Sequence, residues 1–458
     1  EGIQWEWETF PEFMDAVGKR ELGMDVAAQV PHGAVRTYVM GKRGAENEPA
    51  TPEDIRRMAD IVREGMEAGA LGFSTSRTIM HKAASGDPMP GTFAAEDELF
   101  GLGRVLGELD KGIFELAPVG AAGEDVIGAR AEMDWMRRLS AEIGRPVSFA
   151  MLQVDAEPTL WRDLLDESQQ AVAKGAEVYP QIAGRPFGML VGHQTEYHPF
   201  RERPSYEALI DLPFEERVAR LREPAVRKAI LSEKVDYADP MSAFVMASFH
   251  KLFPLGEKPN YEPAYEDSVA GIADREGRSP EEVLYDCMLG QDGRELLLFP
   301  LLNYSDGNCD AIYEMLHHPR AALGLGDGGA HCGIICDASI PTFMLSHWVR
   351  DRVRGPKLPL ELVVKRMTSD SAKLYGLLDR GLIEPGYKAD LNLIDMDKVG
   401  LKLPEMVFDL PAGGRRLIQR ADGYHTTLVS GEVTMREGVP TGAFPGRLVR
   451  GEQPLPAA

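Results

Sequence analysis

The stretch of this chain best suited to chemistry is Leu325-Gly-Asp327-Gly-Gly-Ala-His331. The apolar run Ala321-Ala-Leu-Gly-Leu-Gly leads into it, so the Asp327 carboxylate stands where a buried strand gives way to glycines. A carboxylate so placed can ligate a metal ion and take a proton from water. The competing reading is an aspartate that caps the next turn, a common use of Asp among glycines. His331 follows closely and is a candidate substrate contact. Gly324, Gly326 and Gly329 also satisfy the glycine spacing of a dinucleotide fingerprint. That motif must run straight into a helix, whereas this chain continues as loop to about Pro341, which argues against nicotinamide binding.

Four further residues are candidates for substrate binding. Glu115 sits at the end of the apolar run Gly112-Ile-Phe-Glu-Leu-Ala, and a buried carboxylate there needs a cation or hydrogen-bond donors. Arg77 and Arg185 each lie just past an expected strand end and could meet a substrate carboxylate, with a surface ion pair as the alternative. Tyr179, in Glu177-Val-Tyr-Pro-Gln, completes the set. The chain has 10 histidines but no H-x-H and no H-E-x-x-H. His193 and His198 could reach one ion across a turn, although the commoner reading of such a loop pair is exposed polar surface. Cys332 and Cys336 beside His331 suggest a soft-metal cluster, against two small buried thiols. The 4 cysteines form no C-x-x-C pair and no disulfide framework, which points to a reducing compartment, taken as the cytoplasm.

These residues need a scaffold that brings strand ends together. From residue 51 the sequence alternates capped amphipathic helices with short apolar strands. Thr51-Pro-Glu-Asp starts a helix with apolar residues at Ile55, Met58, Val62 and Met66, and Ala70-Leu-Gly-Phe-Ser-Thr-Ser follows as a strand. The unit recurs through strands near residues 112–118, 147–153 and 177–183. Such a series implies a parallel sheet covered by helices, and favours an α/β fold of the (β/α)8 TIM-like barrel type, its first strand apparently missing. In a barrel the catalytic groups follow the carboxyl ends of the strands, where Glu115 is expected to face the mouth. Residues 1–375 would form this barrel, with an excursion over the mouth at about 185–275. Residues 376–458 read as a small β-sandwich portion, with Ser430-Gly431 turning a hairpin.

Composition narrows the partners. The 458 residues carry 50 Lys and Arg against 72 Asp and Glu, a formal charge of −22, which disfavours nucleic acid and anionic membrane surfaces. No apolar run reaches membrane-spanning length. A small-molecule substrate is the expected partner, and assembly into a homo-oligomer stays open.

These motifs resemble the amidohydrolase superfamily, in its D-aminoacylase-like branch of N-acyl-D-amino-acid deacylases. The resemblance rests on Gly69-Ala-Leu-Gly-Phe-Ser-Thr-Ser, Gly91-Thr-Phe-Ala-Ala-Glu-Asp-Glu-Leu, Leu325-Gly-Asp-Gly-Gly-Ala-His and Gly381-Leu-Ile-Glu-Pro-Gly-Tyr-Lys-Ala-Asp-Leu. It implies hydrolysis of a C–N amide bond in a small N-acyl amino acid, assisted by a divalent metal, zinc by family habit. Asp327 inherits the role of metal ligand and proton carrier. Three departures accompany it. The family's strand-one H-x-H is absent, Met151-Leu-Gln153 offers no imidazole at strand five, and Tyr179-Pro-Gln181 offers none at strand six. The chain also begins at Glu1 without methionine, so truncation upstream is expected. The alternative is a non-catalytic barrel that has lost its metal site.

Overall fold

A computed structural model describes residues 5–238, 240–326, 328 and 333–457. Six strands form a parallel sheet: β1 (Val30–Pro31), β2 (Gly72–Ser76), β3 (Ile113–Ala117), β4 (Val147–Ala150), β5 (Val178–Ala183) and, much later in the chain, β9 (Ala322–Gly324). Their order is β1-β2-β3-β4-β5-β9, so β9 pairs directly with β5. Helices Pro52–Glu67, Glu96–Leu109, Val126–Ile143 and Leu160–Val172 connect the strands. The expectation of a helix-covered parallel sheet is met. In place of a ring of eight, the described residues show six parallel strands with β1 and β9 as unjoined edges.

The helices form where the sequence places their caps. Thr51 accepts from the Asp54 amide while the Asp54 side chain accepts from Thr51, a reciprocal box that satisfies amide donors the helix leaves unpaired. Met58, Val62 and Met66 then face the sheet from successive turns and are buried. Phe73, Phe114, Val147 and Val178 stand on the helix-facing side of the strands in the main core. The opposite face is polar. Ser74, Glu115, Ser148 and Tyr179 lie side by side across β2 to β5 in register.

Between β5 and β9 the chain builds a second layer. Strands β6 (Phe187–Val191), β7 (Phe253–Pro254) and β8 (Leu297–Leu302) form an antiparallel sheet in the order β6-β8-β7. This sheet and short helices around it enclose a separate core of residues such as Val191, Phe200, Leu221, Val269 and Phe299. The sheet is completed by β8, which is apolar along its length and runs to Leu302.

The C-terminal part is all β. Strands β10 (Leu391–Ile394), β13 (Tyr424–Val429), β14 (Glu432–Arg436) and β15 (Val439–Pro440) make one sheet, and β11 (Gly400–Leu410) with β12 (Gly414–Asp422) makes a long hairpin. Ser430 and Gly431 both have positive φ, 52° and 82°, the geometry that matches the twist of a two-residue hairpin. No helix among the described residues is long and apolar enough to cross a membrane.

Candidate active site

The carboxyl ends of the parallel strands are tied together by buried side chains. At the end of β4, the Gln153 amide donates to Asn303 Oδ1 at 2.6 Å, and the Asn303 amide donates to the Gln153 carbonyl at 2.9 Å. Asn303 follows β8 with φ 61°, a conformation that asparagine tolerates. Gln153 Nε2 donates to Asp306 Oδ2 at 2.7 Å. The sequence reading missed Asn303, although a polar residue closing the run Leu297-Leu-Phe-Pro-Leu-Leu was a usable signal.

Arg185 leaves the end of β5 and is buried. Its guanidinium donates to Asp337 Oδ1 at 2.7 Å, to the Cys336 carbonyl at 2.6 Å and to Ser339 Oγ at 3.0 Å. It lies 4.0 Å above the Tyr261 ring, whose hydroxyl donates to Gln419 of β12. Arg185 therefore clamps the segment after β9 to the end of β5, and Asp337 already balances its charge. Arg77 is likewise engaged. It donates through Nε to both Glu132 oxygens, at 3.0 and 2.8 Å, and through Nη1 to the Ala94 carbonyl at 2.8 Å, holding the end of β2 against a helix.

Glu115 is inside the sheet's polar face rather than at the mouth. Gln29 Nε2 at 2.6 Å and the Tyr375 hydroxyl at 2.9 Å donate to one carboxylate oxygen, and Gln181 Nε2 donates to the other at 2.9 Å. Burial first, and the Glu115 charge beside it, push the Tyr375 phenol well above its ordinary range, so it remains a donor. Tyr179 carries the Arg320 guanidinium 3.8 Å over its ring. It opens on a cavity with Pro146, Glu177 and Ala321, residues at the strand starts, so it lies at the end opposite the strand carboxyl ends. The structure thus does not bring Arg77, Glu115, Tyr179 and Arg185 into one pocket.

Asp327 and His331 lie outside the described residues, as does Cys332. The approach to Asp327 is described. Leu325 follows β9 with φ 59°, a left-handed conformation that costs a β-carbon-bearing residue about 1–3 kcal/mol and is typical of functional turns.

Among the described residues, one group has the donor types and spacing for a metal ion: Glu262, Cys309 and His347, with ligand atoms within 4.8 Å of one another. Its lone pairs are taken. Arg352 binds Glu262 bidentately at 3.0 and 2.9 Å, the Cys309 amide donates at 2.8 Å, and His347 Nε2 lies at 2.9 Å. Burial alone would raise the Glu262 pKa, but these partners outweigh it and hold it at about 2. Burial raises the Cys309 thiol well above its usual range, so it is a neutral thiol beside the ion pair. This group is a buried ion pair, and it does not fit a divalent cation. Nor do strands β4 and β5 present imidazoles at their ends.

His193 and His198 are not the exposed pair that the sequence suggests. Both are buried, with His193 Nδ1 2.6 Å from His198 Nε2. That direct contact occupies the atoms with which they would share an ion.

A family model described as "Amidohydrolase family" matches residues 1–435. A D-aminoacylase from Alcaligenes xylosoxydans xylosoxydans is 25% identical, over 98% of this chain and 75% of its own length. A crystal structure of a D-aminoacylase superposes with a TM-score of 0.57 at 18% identity, over 97% of this chain and 75% of that one. N-acyl-D-glutamate deacylase from Bordetella bronchiseptica, solved with zinc and a phosphonate inhibitor, gives 0.56 at 20% identity, over 96% and 75% of the two chains.

Proposed function

Starting from the fact that this chain belongs to the amidohydrolase family, we propose that it hydrolyses the C–N amide bond of a small N-acyl amino acid, as a deacylase of the D-aminoacylase type. The observation that carries this reading is the family match over residues 1–435, joined by similarity to a D-aminoacylase over nearly the whole chain. The TIM-like barrel is the proposed architecture, and the sequence motif Leu325-Gly-Asp327-Gly-Gly, which follows β9, supports the proposed role of Asp327. In the reaction, water adds to the amide carbon, the C–N bond breaks, and the proton taken from water passes to the departing amine. Asp327 is the proposed carrier of that proton.

Zinc is the proposed cofactor, because the Bordetella deacylase was solved with zinc and Asp327 of the glycine-flanked motif is of a residue type that supplies an oxygen donor. The described residues supply no site for it, with Glu262 held by Arg352 and no imidazole at the ends of β4 and β5. The same fact favours a second reading, a barrel that keeps the fold and binds without catalysing.

Liberation of free amino acid from N-acetyl-D-glutamate and N-acetyl-D-methionine, with and without added zinc, separates the two. The deacylase reading expects turnover, and about a hundredfold loss or more in Asp327→Asn. Turnover unchanged in that variant overturns the role of Asp327. No hydrolysis of either compound in any condition overturns the deacylase reading.

A further inference from the structure

A half-open cavity of about 250 Å³ lies in the excursion layer, roofed by the β11–β12 hairpin. His193, Arg201, Arg217 and Arg415 line it, with Phe214 and Phe408 as apolar walls, and no carboxylate is among its lining residues. In a chain with a net charge of −22, three guanidiniums in a lining that holds no carboxylate make a local positive site, with the Glu196 side chain beside Arg415 outside that lining. Each directs its hydrogen bonds to backbone carbonyls: Arg201 to Glu196, Arg217 to Ile210 and His193, and Arg415 to Gln194. Arg217 Nε is buried and has no partner.

The histidine pair fixes one further donor. The Phe200 amide donates to His198 Nδ1 at 3.1 Å, so the proton of a neutral His198 ring is on Nε2. Nε2 then donates to His193 Nδ1, a nitrogen that the Tyr206 hydroxyl also approaches at 3.1 Å. The His193 proton is therefore on Nε2, which is buried and has no hydrogen-bond partner. Burial, and then the nearby Arg217 charge, push the His193 pKa down to about 3, so the ring is neutral at ordinary pH. A buried N–H left unsatisfied costs about 1–3 kcal/mol. An acceptor entering the cavity that His193 lines would remove that cost if it displaced the atoms that now cover Nε2.

We propose that this cavity binds the carboxylate of a small organic acid, with the His193 Nε2–H and the guanidiniums of Arg201, Arg217 and Arg415 meeting the anion and Phe214 and Phe408 holding a flat apolar body. Guanidinium forks match the two oxygens of a carboxylate, and aromatic walls favour a planar group over a bare ion. The site stands independently of the deacylase reading, since it is argued from groups in the excursion and the hairpin.

Titration calorimetry on the full chain tests it with phenylacetate, phenylacetamide and inorganic phosphate. Phenylacetate is expected to bind about tenfold or more tightly than phenylacetamide. The double substitution Arg201→Gln with Arg415→Gln is expected to weaken phenylacetate about tenfold or more, with the melting temperature unchanged. His193→Gln serves as a second probe, because its amide keeps a donor, and it should retain more affinity than His193→Leu. Equal binding of phenylacetate and phenylacetamide overturns the proposal, as does phosphate binding as tight as phenylacetate. Absence of phenylacetate binding, or wild-type affinity in the double variant, overturns it as well.

Discussion

Two carboxylate clusters in this molecule are fully satisfied, whereas an arginine-lined cavity in the excursion layer is not. Around Glu262, Arg352, His347 and the Cys309 amide occupy the carboxylate, and the Glu262 and Arg352 side chains are 1% and 0% exposed. The Glu115 cluster with Gln29, Gln181 and Tyr375 is similarly closed. The excursion cavity has the opposite character. Its arginines have no acid partner among the described residues, and two of its donors, His193 Nε2 and Arg217 Nε, are buried and unpaired. A saturated cluster has no capacity left for a ligand, so its role is to hold the fold. An unsaturated one is costly to keep and points to something that binds there.

The largest effect should come from opening the Glu262 cluster. Glu262→Ala takes the buried acceptor from Arg352, His347 and the Cys309 amide, leaving Arg352 only Asp310 and the Pro356 carbonyl, and is expected to cost about 3 kcal/mol in urea unfolding. The same cluster has an acid signature. Its folded pKa of about 2 lies below the ordinary 4.5, so its contribution is fully present above pH 4.5 and is lost as pH falls towards 2. That loss amounts to about 3 kcal/mol, and Glu262→Gln should flatten the fall. An unchanged acid branch in that variant would mean that the stability it reports lies elsewhere.

A smaller effect is expected at the sheet face. Tyr375→Phe deletes the hydroxyl that donates to Glu115 and accepts from Gln181, and should cost about 2 kcal/mol in thermal or urea unfolding. A cost near zero would show that Glu115 is held well enough by Gln29 and Gln181.

The smallest effect belongs to the cavity. Arg415→Gln gives up a single backbone bond, to Gln194, and should change stability by no more than about 0.5 kcal/mol. A loss as large as that at Glu262 would place Arg415 among the fold-holding groups and remove the contrast between the two regions.

Features that depend on neighbours in the chain were legible without the fold. The capping box at Thr51, the buried face of Met58, Val62 and Met66, the apolar strands and the Ser430-Gly431 hairpin were all legible, because caps, periodicity and turn geometry act over a few residues. The resemblance to amidohydrolases was legible for the same reason, since its motifs are contiguous. Tertiary structure alone decided what each polar group touches. Glu115 has its partner in Tyr375, 260 residues away, and Arg185 meets Asp337 across 152. His193 and His198 are close in sequence, yet only folding showed them buried and left one nitrogen without a partner. Whether a carboxylate, an arginine or a histidine is saturated depends on burial and on partners brought from distant strands, and no local pattern records either.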